Sequence, residues 1–350
     1  MRKYILAIFL LIILAGASFT GGAFFAEKKI GGTTQKAISN ENTESSKDLN
    51  NAEPADIVEV SEGQKNNSKE PTEEPVEIPV EENKFSFAIL GDTQYFKPGS
   101  NGGFQKAASN IKKINPDLVF AVGDLVSSCG GGADCESKLN SWKNTLGPLG
   151  SKAYVMQGNH DRTGEDKADA VWQRVFSYLP ANGPAGFAKF AYSFDYKNSH
   201  FVVLDSDKPK ENDINSVQLD WLEKDLSANR KDYNFVFFHE PAYPTNSKIG
   251  ESLDESPKDR DRLWNILVNN KITAVFSGHE HIQSRRKVNG IYQFGFGNTD
   301  SFNHDAPKPG TAEYFYIGQA FGMVEINSDA ITVKTYSADG KLLNSFELKK

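Results

Sequence analysis

From residue 85 onward, apolar residues fall in short runs separated by stretches where they recur every three or four positions. The runs at 85–90, 118–122, 153–156, 201–204, 235–238 and 274–276 read as strands. Between them, 104–114, 137–146, 168–179, 217–226 and 259–268 carry the spacing of amphipathic helices. Strand and helix in alternation predict an α/β layered domain rather than an all-β barrel. The pattern changes near the end. Runs at 284–288 and 291–294 flank Asn289-Gly290, the dipeptide expected of a tight hairpin turn. Runs at 320–326 and 330–336 pair across Asn327-Ser328-Asp329, so the fold is expected to close with antiparallel strands. No internal repeat is visible.

The first 83 residues have a different texture. Arg2 and Lys3 precede an apolar stretch over 5–26, whose 22 residues would span roughly 33 Å as a helix. This segment reads as an N-terminal membrane anchor or a signal peptide, with Ala15-Gly16-Ala17 as a small-residue cleavage site. Either reading places the remainder outside the cytoplasm, anchored or secreted. No cysteine precedes Cys129, which excludes a lipoprotein anchor. Residues 27–83 contain no Phe, Trp or Tyr and carry fourteen Asp and Glu against six Lys. Too little apolar surface is present to offset ordering entropy, so a disordered acidic linker is expected. The formal charge of -7 belongs largely to this linker, and 84–350 is nearly neutral. Without a basic run, that part has no electrostatic footprint for nucleic acid. Cys129 and Cys135 bracket a glycine-rich stretch, and export makes an intramolecular disulfide the natural reading.

Five of the apolar runs lead into residues able to bind metal. The clusters are Gly91-Asp92-Thr93-Gln94, Gly123-Asp124, Gly158-Asn159-His160-Asp161, His239-Glu240 and Gly278-His279-Glu280-His281. In layered α/β proteins the carboxyl ends of strands line the active crevice, so five such clusters should converge. Carboxylate, amide and imidazole donors without a thiolate suit hard or borderline divalent ions. On an extended strand, His279 and His281 would point the same way.

This ordered set resembles the calcineurin-like metallophosphoesterase superfamily over about residues 85–300. The resemblance implies an α-β-β-α sandwich, two mixed β-sheets flanked by helices with a dimetal site at strand ends, making 84–350 the catalytic domain. It implies that Asp92 and His281 hold a first metal, and Asn159, His239 and His279 a second, with Asp124 bridging. Gln94 stands where the family usually has His; its amide oxygen can still ligate, with weaker binding of the first metal. His160 would sit near the leaving group as general acid, oriented by Asp161. Ser127 occupies the place where purple acid phosphatases carry a metal-binding Tyr, which argues against a tyrosinate-iron centre.

The function so implied is hydrolysis of a small phosphomonoester or phosphodiester by a hydroxide shared between two divalent ions. Mn, Fe, Zn, Mg and Ca are not distinguished, and a monomeric catalytic domain is expected. The alternatives are a pyrophosphate-cleaving nucleotide hydrolase and a metal-containing binding protein whose catalysis has lapsed. Other polar residues get blander readings. His200 is expected at a surface or turn, His304 in a solvent-facing loop, and Arg162, Arg285 and Arg286 as exposed side chains. Asp205 reads as a structural carboxylate.

Overall fold

The computed structural model describes residues 83–327 and 330–349; the anchor or signal, nearly all of the acidic linker, and Ser328-Asp329 lie outside them. Two mixed sheets pack face to face between helices, the architecture expected. The first sheet contains β1 (Phe85–Leu90), β2 (Leu118–Ala121), β3 (Tyr154–Val155), β11 (Ala320–Asn327), β12 (Ala330–Ser337) and β13 (Leu342–Leu348). Its order is β13-β12-β11-β1-β2-β3, with β1, β2 and β3 parallel and the last three strands antiparallel. The second contains β4 (Tyr192–Tyr196), β5 (Ser199–Val203), β6 (Tyr233–Phe237), β7 (Ala274–Ser277), β8 (Gln283–Val288), β9 (Ile291–Phe296) and β10 (Tyr314–Tyr316). Its order is β10-β8-β9-β7-β6-β5-β4, with β5, β6 and β7 parallel.

Parallel neighbours need a crossover, and the helices supply it. α1 (Gly103–Ile114) joins β1 to β2, and α2 (Ala133–Leu146) joins β2 to β3. α3 (Asp166–Val175) follows β3; α4 (Ser216–Ala228) and α5 (Pro257–Asn269) link β5 to β6 and β6 to β7. α3 stops four residues before the expected boundary at 179. Leu179 precedes Pro180, whose ring disfavours helical backbone in the residue before it, and the helix gives out upstream of that point.

Side chains alternate across each strand, so a continuous apolar run feeds two cores at once. Phe201, Phe235, Phe237 and Phe276 face the first sheet, where they meet Phe87 and Phe120. Their neighbours Val202, Val236, Phe238 and Val275 face outward onto Leu222, Leu226 and Leu263 of α4 and α5. Phe120 and Phe237 stack with centroids 4.1 Å apart, fixing the sheets against each other. Truncating such a buried ring costs about 3–5 kcal/mol.

The strands missed by sequence pattern are β4, β10 and β13, all sheet edges. Edge strands are covered on fewer sides, so their apolar signal is faint; six of the seven residues of β13 are at least partly exposed without alternating cleanly. The expected disulfide is present, tying Cys129 after β2 to Cys135 in the first turn of α2.

His200 corrects an expectation. It is 1% exposed rather than at a surface turn. Its Nδ1 lies 2.7 Å from Asp195 across the β4–β5 pair, and its Nε2 lies 2.8 Å from Asp225 on α4. Two acidic partners make burial of an imidazolium affordable. Burial alone would lower its pKa, but the bonds to Asp225 and Asp195 outweigh it and hold the value above 6.5. A raised native pKa stabilises fully below about pH 6.5, and that stabilisation fades as pH climbs through the native value. The unfolding free-energy gap between wild type and His200→Gln should therefore be larger at about pH 6 than at about pH 9 in urea titrations. A gap independent of pH would refute the ion-pair account.

Candidate metal centre

The five clusters meet where the carboxyl ends of β1, β2, β3, β6 and β7 converge between the sheets. Parallel pairing sets the first contacts: Asp92 N–H donates to the Gly123 carbonyl at 3.1 Å and Thr93 N–H to the Asp124 carbonyl at 2.9 Å. Asp92 and Asp124 thus leave adjacent strands side by side. Asp92, Asp124, His279 and His281 all have positive φ, between 50° and 67°. Side chains rarely adopt this backbone, and its cost is concentrated at functional sites. His279 and His281 accordingly do not lie on an extended strand. They occupy the turn between β7 and β8, and each is aimed separately.

All seven expected ligands come together, in two groups. Ligand atoms of Asp92, Asp124 and His281 lie within 4.8 Å of one another. His281 Nε2 is 3.2 Å from Asp92 Oδ1 and 3.0 Å from Gln94 Nε2. Gln94 Oε1 is buried without a hydrogen-bond partner, as befits an atom that would complete a cation's shell. The second group pairs His239 with His279, ring centroids 5.1 Å apart, and Asn159 Oδ1 lies 3.3 Å from His239 Nε2. Glu240 joins the His239–His279 group, and Asp124 reaches toward it from the first, its Oδ1 being 3.5 Å from His239 Nε2. Oxygen and imidazole donors without sulfur fit a pair of divalent cations.

Backbone carbonyls and hydroxyls fix which imidazole nitrogen faces the centre. His239 Nδ1 sits 2.8 Å from the Val122 carbonyl and His279 Nε2 2.8 Å from the Glu251 carbonyl. His281 Nδ1 is held by Ser301 Oγ at 3.1 Å. Glycine is required at two points: a Cβ on Gly158 would sit on Asp124 Oδ1 and 2.8 Å from His239 Nε2, and one on Gly123 would strike the His239 ring.

The carboxylates around His239 favour its charged form. Burial would lower the pKa of His239, but Asp124, Glu240 and Asp92 raise it to about 9. Burial, followed by repulsion from His239, drives His279 well below the usual histidine range and keeps it a neutral donor.

His160 stands at the rim, its side chain 33% exposed, with Nε2 4.0 Å from Asp124 Oδ2. Its Nδ1 is held by the Ser127 carbonyl at 2.8 Å, so Ser127 contributes backbone rather than a ligand. Asp161 does not orient His160. Fully buried, it accepts backbone N–H bonds from Leu125, Val126 and Gly158, joining the β2 loop to the β3 loop. Burial and the charge of Asp124 push Asp161 up to about 7. Its effect on the site is thus to hold the turns that present Asp124 and Asn159.

Several contributors escaped the sequence pattern. Glu280, between the two ligand histidines, accepts from Thr245 N–H and Oγ1 and from Asn246 N–H, pinning the His-x-His turn. Its position between two ligands was the available signal. His304 is not a solvent-facing loop residue: its ring stacks on His281 at 4.0 Å, beside Phe302. Arg162 donates to Asp169 and the Asp207 carbonyl, Arg285 to Glu313, and Arg286 to the Tyr243 and Pro244 carbonyls. All three guanidinium groups are engaged in holding structure. Asp205 is buried and accepts from the backbone of Asp207 and Lys208, the structural role expected.

Comparison with known proteins bears on the family and the fold. Human tartrate-resistant acid phosphatase type 5 is 26% identical over 223 residues, 54% of this chain and 65% of that protein. Purple acid phosphatase 22 of Arabidopsis thaliana is 30% identical over 218 residues, 57% of this chain and 45% of that one. The chain thus spans less than two thirds of either relative. The solved purple acid phosphatase from yellow lupin (Lupinus luteus) superposes with a TM-score of 0.66 at 18% identity, covering 78% of this chain and 55% of that one, which supports the fold. A family model described as calcineurin-like phosphoesterase matches residues 85–283, and the chain belongs to that family.

Proposed function

We propose that the chain is a metal-dependent phosphoric ester hydrolase acting on a small phosphomonoester or phosphodiester. The observation that carries this reading is the Asp124 carboxylate, grouped with Asp92 and His281 and 3.5 Å from His239 of the second group. Asp92, Gln94 and His281 would hold one divalent cation and Asn159, His239 and His279 the other, with Asp124 shared. Bound there, the cations supply a water of lowered pKa and neutralise the non-bridging oxygens of the phosphate.

The protein's own groups do the rest. With Nδ1 held by the Ser127 carbonyl, the Nε2 of His160 faces the pocket, so its imidazolium form can hand a proton to the leaving oxygen. Asp161 and Glu280 keep the ligand turns from relaxing. Tyr95 and Phe302, 45% and 53% exposed and 5.4 Å apart, form an aromatic edge beside His281. Such a surface favours a planar leaving group. Export is supported by the basic residues and apolar run at the start of the chain and by the disulfide.

The test is turnover by the full chain of nucleoside, aryl and alkyl mono- and diesters, with Mn, Zn, Mg or Ca and with chelator. Metal-restored hydrolysis, strongest on planar leaving groups, is expected. No turnover of any mono- or diester, nor of nucleotide pyrophosphate bonds, by fully metallated protein would point to a lapsed binding protein instead.

A further inference from the structure

Beside the His239–His279 pair, and sharing Glu240 with it, lies a second cluster of acidic side chains. Ligand oxygens of Asp207, Glu211 and Glu240 lie within 4.8 Å of one another. Glu240 is 0% exposed; its carboxylate meets the Asp207 side chain, and neither of its oxygens accepts from a backbone amide, hydroxyl or side-chain cation. Asp207 is 2% exposed with Oδ1 unpartnered, and the adjacent Asp205 is fully buried with Oδ2 unpartnered. Burying carboxylates without partners is costly.

The neighbouring side-chain cations are turned elsewhere. Arg162 and Lys208 pair with Asp169, Lys210 with Glu255, and Lys248 with Glu251. The acidic loop is nonetheless built rather than loose. Asp205 Oδ1 accepts from two backbone amides, Arg162 donates to the Asp207 carbonyl, and Glu240 N–H donates to Ser206 Oγ. On its open side is a cleft of about 420 Å³ whose lining includes Asp207, Glu211 and the ligand Asn159.

We propose that Asp207, Glu211 and Glu240 form a third cation site, selective for a hard divalent ion, next to the dimetal centre. The three donors Asp207, Glu211 and Glu240 are all carboxylates, which suit Ca or Mg rather than Zn. Glu240 follows His239 directly, so an ion here would brace the strand end that presents that ligand. The open cleft and the exposed Glu211 provide the entry path.

Calcium uptake tests this without reference to turnover. Full-length protein is saturated with Mn, freed of excess, and titrated with Ca by calorimetry, with metal content counted by mass spectrometry. One calcium should bind with both Mn ions retained, and Asp207→Asn should weaken it at least about tenfold. Glu211→Gln, at an exposed position, should do the same and keeps the test valid if Asp207→Asn fails to fold. Calcium uptake unaffected by either variant, or accompanied by loss of Mn, would overturn the proposal. So would an absence of uptake, which would mean that the carboxylates share a proton instead.

Discussion

Asp124→Asn is expected to lower kcat/KM by at least about 100-fold and to reduce bound metal below two equivalents, with the fold retained. Asp124 Oδ1 accepts the His160 N–H at 3.0 Å and lies 3.5 Å from His239, while Oδ2 accepts from Gln94 at 3.2 Å. An amide in its place keeps the volume and one acceptor oxygen, so the turn should survive. What it removes is the negative charge between two cationic positions and the second acceptor oxygen. Both halves of the centre lose a ligand at once, which is why this effect should exceed that of any substitution confined to one group. Paired measurements of metal content and kcat/KM, with circular dichroism as a folding control, would check it. Retention of two ions and activity within tenfold of wild type would show that Asp124 does not bridge.

The second large effect should depend on the leaving group. His160→Ala is expected to slow an alkyl phosphate by about 100- to 10,000-fold, equivalent to about 3–5 kcal/mol in the barrier. A p-nitrophenyl ester, whose leaving group departs as a stable anion, should slow by less than about tenfold. The contrast isolates proton donation from metal binding, because a damaged metal centre would slow both substrates alike. His160 touches the centre only through its backbone N–H on Asp124 and a ring nitrogen 4.0 Å away, so its side chain can be removed with the ligands in place. Equal losses on the two esters would move His160 out of the role of acid and into that of a structural residue.

The convergence of the candidate ligands was legible in the sequence for a physical reason. Each follows an apolar run buried on both faces, and such runs are the strongest signal a layered fold offers. Phe85–Leu90 is visible because all but one of its residues is fully covered, and Asp92 follows it by two positions. β10 and β13 were invisible for the converse reason: they lie at sheet edges with many side chains exposed. The centre's detailed shape was hidden for another cause. Spacing suggested His279 and His281 on one strand face, whereas left-handed backbone at both places them in a turn that Glu280 holds. His200 looked like a turn residue because its partners, Asp195 and Asp225, come from different elements and meet only in three dimensions. Asp161 was legible as important but not in its task, since a carboxylate binding three backbone amides leaves no trace in the side-chain pattern.

Diffraction from crystals of the full chain grown with Mn, with anomalous differences collected at the Mn edge, bears on the centre most directly. The account predicts two peaks that both contact the Asp124 carboxylate, one completed by Asp92, Gln94 and His281 and the other by Asn159, His239 and His279. A single peak, or none touching Asp124, would contradict it.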